Sequence, residues 1–230
     1  MNQPPLSFRA ASDKPVLCGM RRDYKCVASN LTGFVQQVAV SYVKNGYWFY
    51  VAGSIPDSKE PAAVDAKFIK LYDLDVSKFT RCRQRKAGMA SVQYIRLGRF
   101  FLLMATHGEH LFFAREGKVI RDVRRIPIRV GGYSISHRLG KVSVRIAGPD
   151  YRVIKEGFLG RALNASHRLE SAFSNLPFEP YAPVRSQLLA MWRAVNHRRA
   201  LAGLPRIERA CLRLHRRIVR PFAGEVAKKK

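Results

Sequence analysis

The chain has 230 residues, 47% hydrophobic and 25% charged, and its Lys and Arg outnumber Asp and Glu 42 to 16 for a formal net charge of +26. That apolar content excludes a disordered basic tail, and the longest apolar run, residues 100–105, falls far short of the roughly 18 residues a membrane span needs. An excess of positive charge this large repels itself and is expected to meet a polyanion, so nucleic acid is the anticipated partner, with no membrane.

Cys18, Cys26, Cys82 and Cys211 show no CxxC spacing and read as free thiols of a reducing compartment. Met1-Asn2-Gln3-Pro4-Pro5 lacks the charged-then-apolar pattern of a secretory signal, so a cytoplasmic location is expected. The charge is uneven: residues 1–120 hold 18 basic and 9 acidic side chains, residues 121–230 hold 24 and 7, and the stretch 185–220 holds ten arginines and one acid, Glu208.

Residues 1–30, with Pro4, Pro5 and Pro15, read as an irregular arm. Two β-branched and aromatic runs, 38–44 and 47–52, flank Asn45-Gly46, a strong hairpin signal because both turn residues take positive φ. The competing pattern is a helix over 31–44 stopped by Gly46; the hairpin is preferred. Residues 61–72 predict a helix, with Val64, Phe68, Ile69 and Leu71 at helical spacing and Pro61 in the first turn. A very basic helix over 76–87 follows, stopped by Gly88. Residues 91–97 and 99–106 predict a hairpin turning near Gly98, 109–116 a short helix, and 126–137 with 141–147 another hairpin around Leu139-Gly140. From Pro149 the chain reads as helical, over 151–162, 166–174 and 184–201.

From residue 47 the order is strand, helices, paired strands, helix, strand. It predicts an α+β fold: an antiparallel sheet with a ferredoxin-like split βαβ core, an N-terminal hairpin and a C-terminal helical extension. The expected divisions are an irregular arm at 1–30, an α+β core at 31–162, a basic helical extension at 163–223 and a basic tail at 224–230, which ends in Lys228-Lys229-Lys230.

Two short constellations suggest chemistry. In Thr106-His107-Gly108-Glu109-His110, directly after the run 100–105, His107 and Glu109 share a face of an extended chain and His110 joins them if the chain turns at Gly108. Imidazole and carboxylate together suit a divalent metal such as Mn or Mg. In Tyr151-Arg-Val-Ile-Lys155, positions i and i+4 of a helix put Lys155 beside the Tyr151 hydroxyl, where a cation would assist phenolic attack on phosphorus. The bland alternatives are a polar loop in which His110 packs under Phe112 and Phe113, and a packed Tyr151 with a solvated Lys155. Tyr133 is a rival nucleophile, although its predicted strand favours packing.

Taken together, the two motifs and the element order resemble the HUH endonucleases, the nicking enzymes of rolling-circle replication, conjugation and single-strand transposition. The resemblance implies a metal at His107, Glu109 and His110, a nucleophilic Tyr151 aided by Lys155, and a place in a mobile genetic element. The family has one hydrophobic residue between its histidines; here Gly108 and Glu109 intervene.

A third constellation is basic. Arg81, Arg83, Arg85 and Lys86, then Arg121, Arg124 and Arg125, then Arg193, Arg198 and Arg199, and finally Arg213, Arg216 and Arg217 are candidate phosphate contacts. Tyr47, Trp48, Tyr50 and Tyr94 offer base-stacking platforms if the sheet face is open. Nicking of single-stranded or hairpin DNA is the leading expectation. A non-catalytic RNA- or DNA-binding module is the alternative, and a metal-free ribonuclease using His107 or His110 ranks third. No phosphate-cradling GxxxxGK, GxSxG or HExxH pattern occurs.

Overall fold

The computed structural model of the chain describes residues 24–222. The expected arm before residue 24, with its prolines and Cys18, and the tail from 223 lie outside the described residues. Asn30 opens the first helix by accepting the Gly33 N–H at 2.8 Å, and α1 (Leu31–Gln36) runs on through a π-helical stretch, Gln37–Tyr42, and a 3-10 turn, Val43–Asn45. The preferred strand at 38–44 is therefore helical. Gly46 alone takes the left-handed conformation, φ +89°, as a helix terminator, whereas a hairpin would need Asn45 there too. Phe34, Val38 and Tyr42, and beside them Val35, Ala39 and Val43, recur every four residues and are all buried.

Four strands form the first sheet: β1 (Phe49–Ser54), β2 (Val92–Leu97), β3 (Phe100–Ala105) and the short β4 (Arg121–Asp122). Their order is β2-β3-β1-β4 with every neighbouring pair antiparallel, the order of a split βαβ unit. Between β1 and β2 lie α2 (Pro61–Leu71), with Pro61 at its start, and α3 (Lys78–Lys86), capped by Ser77; α4 (Leu111–Glu116) links β3 to β4. The fourth strand precedes the region expected to supply it.

The run expected as one strand over 126–137 is broken at Gly131-Gly132 into β5 (Ile128–Val130) and β6 (Tyr133–Arg138). With β7 (Lys141–Ile146) these make a separate antiparallel sheet, order β5-β6-β7, instead of joining the first. Three helices follow: α5 (Gly148–Gly160), α6 (Ser166–Ser174) and α7 (Ala182–Leu201).

Side chains alternate across the first sheet and divide the core. Tyr50, Ile95, Leu102 and Met104 face a large cluster that holds the N-terminal helix, the second sheet and the buried faces of α5 to α7. Val51, Tyr94, Leu103 and Ala105 face a smaller one with Tyr72, Leu74 and Phe112. Among the described residues both faces are covered, so the open face that base stacking would require is not there: Tyr47, Tyr50 and Tyr94 are buried, and Trp48 is half-buried under Arg124. Cys26, Cys82 and Cys211 are free thiols, and no helix among the described residues is long and apolar enough to cross a membrane.

Candidate nucleic-acid interface

The His107–His110 segment is held by its backbone. The Ala90 N–H donates to the Glu109 carbonyl at 2.9 Å and the Glu109 N–H to the Gly88 carbonyl at 3.1 Å. At φ +132°, Gly108 lies so close to this loop that an added Cβ would stand 2.5 Å from the Gly88 carbonyl oxygen, so only glycine fits. His110 is the N-cap of α4, and its Nδ1 accepts the Phe112 N–H at 3.0 Å. Burial lowers its pKa from the usual histidine range, against a smaller opposing pull from the Tyr72 backbone and Asp73. His107 and Glu109 are exposed, and the His107 ring lies 6.5 Å from that of Phe49. Among the described residues no group of three His, Cys, Asp or Glu side chains is placed to hold a metal ion.

Tyr151 lies in the first turn of α5, where its ring packs on the larger cluster and its hydroxyl donates to the Gln187 carbonyl of α7 at 3.2 Å. Desolvation raises its pKa, opposite to what a nucleophilic phenol needs. Lys155 is half-buried one turn on. His107 sits by Phe49, which packs with Phe113 on the smaller cluster. The proposed nucleophile and metal ligands are thus on opposite faces of the first sheet. Tyr133 is buried in β6, its hydroxyl accepting the Glu179 N–H at 2.6 Å.

The arginines sort by burial. Arg83, Arg85 and Lys86 are exposed on α3, which buries no residue, while Arg81 folds back to donate to the Val76 carbonyl at 2.7 Å. Arg121, Arg124 and Arg125 are exposed around β4; Arg124 forks onto Asp122 at 2.7–3.0 Å and lies 4.5 Å from the centre of a Trp48 ring. Arg193 and Arg198 are exposed on α7. Arg199 is not a surface contact: it is 2% exposed and donates to the carbonyls of Ala162, Asn164 and Pro205 and to the Ser166 hydroxyl. Arg213 pairs with Glu179 at 3.3 Å, Arg216 lies over Tyr181, and Arg217 is exposed.

The most uniform cationic surface was missed in the sequence motifs. Pairing Ser134 with Arg145, Ser136 with Ser143, Arg138 with Lys141 and Arg129 with Ser134 puts all seven on the face of the second sheet opposite the core. Arg129, Arg138, Lys141 and Arg145 are exposed there, and no Asp or Glu occurs between Asp122 and Asp150. Two cues carry the signal: strict alternation of Tyr133 and Ile135 with Ser134 and Ser136, and the acid-free interval. Among the described residues only Arg96, Arg99, Arg124 and Arg213 have a carboxylate partner within 4.0 Å. No protein-family model matches the chain, and a search of curated proteins finds no match.

Proposed function

We propose that the protein is a nucleic-acid-binding module that grips phosphates with the outer face of the β5-β6-β7 sheet and performs no phosphotyrosyl step. The observation that carries this reading is the acid-free row of Arg129, Arg138, Lys141 and Arg145, all exposed on the outer face of that sheet beside the half-buried Ser134 and Ser143. Arginine guanidinium groups and serine hydroxyls both suit phosphate oxygens, and neutralising phosphates releases counterions whatever the base sequence. Arg121 and Arg125 extend the positive field from the neighbouring segment, with the exposed cations of α3 as a second patch.

The test is fluorescence anisotropy with labelled duplex DNA, single-stranded DNA and an RNA hairpin across a salt series. Affinity is expected to fall steeply between about 50 and 200 mM salt. Arg129→Gln with Arg145→Gln should flatten the log–log slope by about two on duplex DNA. Tyr151→Phe should leave both affinity and slope unchanged. A slope that ignores the double substitution refutes the proposed face, and a covalent protein–DNA product lost in Tyr151→Phe would reinstate nicking.

A further inference from the structure

At the open edge of β7, on the side away from the cationic face, lies a groove of about 390 Å³. That is the size of a small-molecule site, for which about 300–1,000 Å³ is usual. Its floor is apolar, from Val40 of the π-helical stretch, Val142 and Val144 of β7, and Pro183 at the start of α7. Lys44, Arg185 and Arg216 stand around it.

The cations are set for an anion. Arg216 stacks over the Tyr181 ring at 4.9 Å, and one of its terminal nitrogens has no hydrogen-bond partner among the described residues. A charged donor without a partner is costly, and with the Arg216 side chain lining the groove a phosphate there would offset its charge. Arg185 is braced by one bond to the Pro180 carbonyl at 3.0 Å, which leaves other N–H groups unused. None of the three has a carboxylate within 4.0 Å among the described residues. The nearby acid, Glu179, does not line the groove; it forms an ion pair with Arg213 at 3.3 Å and accepts the Arg217 N–H at 3.1 Å.

We propose that this groove binds a nucleoside phosphate, the apolar floor and Tyr181 taking the base and Lys44, Arg185 and Arg216 the phosphate. Free nucleotide and the phosphorylated end of a strand share that chemistry. The site is separate from the outer face of the same sheet, because alternation along β7 sends Val142 and Val144 to the groove and Lys141, Ser143 and Arg145 to the other side.

Isothermal titration with adenosine 5′-monophosphate, adenosine and inorganic phosphate tests it. The nucleotide should bind at least about tenfold more tightly than either fragment. Lys44→Gln with Arg185→Gln, both exposed positions, should weaken it by about tenfold or more, while Arg129→Gln with Arg145→Gln leaves it unchanged. A short single strand with a 5′-phosphate that binds more tightly than both the free nucleotide and its 5′-hydroxyl counterpart identifies a strand end. Equal affinity of the phosphorylated strand and the nucleotide identifies free nucleotide. Failure of the nucleotide to bind, equal affinity for adenosine, or full affinity in the Lys44/Arg185 variant overturns the proposal, whatever becomes of the outer face.

Discussion

Arg96 of β2 forks onto Asp65 of α2, its Nε reaching both carboxylate oxygens at 2.8 and 3.1 Å and its Nη2 one of them at 2.7 Å. The Tyr94 hydroxyl donates to the same carboxylate at 2.6 Å, so one buried acid ties the helix to two residues of the strand. Burial, with the Asp65 carboxylate adding to it, pushes the adjacent Cys26 thiol up to about 11, which leaves it protonated and unreactive. Asp65→Ala strands a nearly buried guanidinium and should cost about 3–5 kcal/mol in urea unfolding. Replacing Asp65 and Arg96 together with Leu and Met should recover most of that loss. A cost within experimental error for Asp65→Ala would mean the pair is solvated in solution.

His110 links stability to pH. Its folded pKa lies below the ordinary value of about 6.5, because burial disfavours the imidazolium. Between the two values the unfolded chain holds more protons, so stability is complete above the ordinary pKa and is lost as pH falls through it, levelling off below the folded pKa. Protonation also removes the Nδ1 acceptor that caps α4. His110→Asn keeps a capping acceptor without a titrating group. Its unfolding free energy should therefore decline less than that of the natural chain between about pH 7 and 5. Parallel curves for the two proteins would show that another group carries the dependence.

The split βαβ core was readable because its signals are local: an unbroken apolar run for β3, a turn at Gly98, and Pro61 opening a helix. The N-terminal helix was obscured by its β-branched content and by Asn45-Gly46. Its own four-residue recurrence, Phe34, Val38 and Tyr42, argued for a helix, and packing against the sheet decides the matter. The His107–His110 cluster has a backbone explanation, since Gly108 is needed for close approach and His110 for the cap; neither requirement is visible without the loop at 88–90. The cationic face of the second sheet was missed because the alternation along 133–146 that sorts its cations becomes legible only once the break at Gly131-Gly132 is placed.

Arg198 and Arg199 are neighbours in sequence and opposites in role, a difference that burial alone reveals. Arg199 ties α7 to the α5–α6 connection through the Ala162 and Asn164 carbonyls at 2.8 and 2.7 Å. Arg199→Ala removes a buried guanidinium that makes four hydrogen bonds and orphans the buried Ala162 carbonyl, so it should destabilise by about 3 kcal/mol or more. Arg198→Ala should stay within about 0.5 kcal/mol of the natural chain. Thermal melting of the pair decides: equal shifts would show that the Arg199 network adds nothing.

Leu139 is fully exposed at the tip of the β6–β7 hairpin and holds φ +48°, with Gly140 at φ +74° behind it. A γ-branched side chain makes no compensating contact at such a position, and the left-handed backbone costs an L-residue about 1–2 kcal/mol. Asparagine tolerates that conformation and, before glycine, suits a two-residue turn with both φ positive. Leu139→Asn should therefore raise stability by about 0.5–1 kcal/mol, with the urea m-value unchanged. Leu139→Gly removes the same clash but loosens the unfolded chain, so its gain should be smaller. Melting temperatures ordered Asn above Gly above Leu would establish backbone strain at the tip. The reverse order would mean that the Leu139 side chain packs in solution.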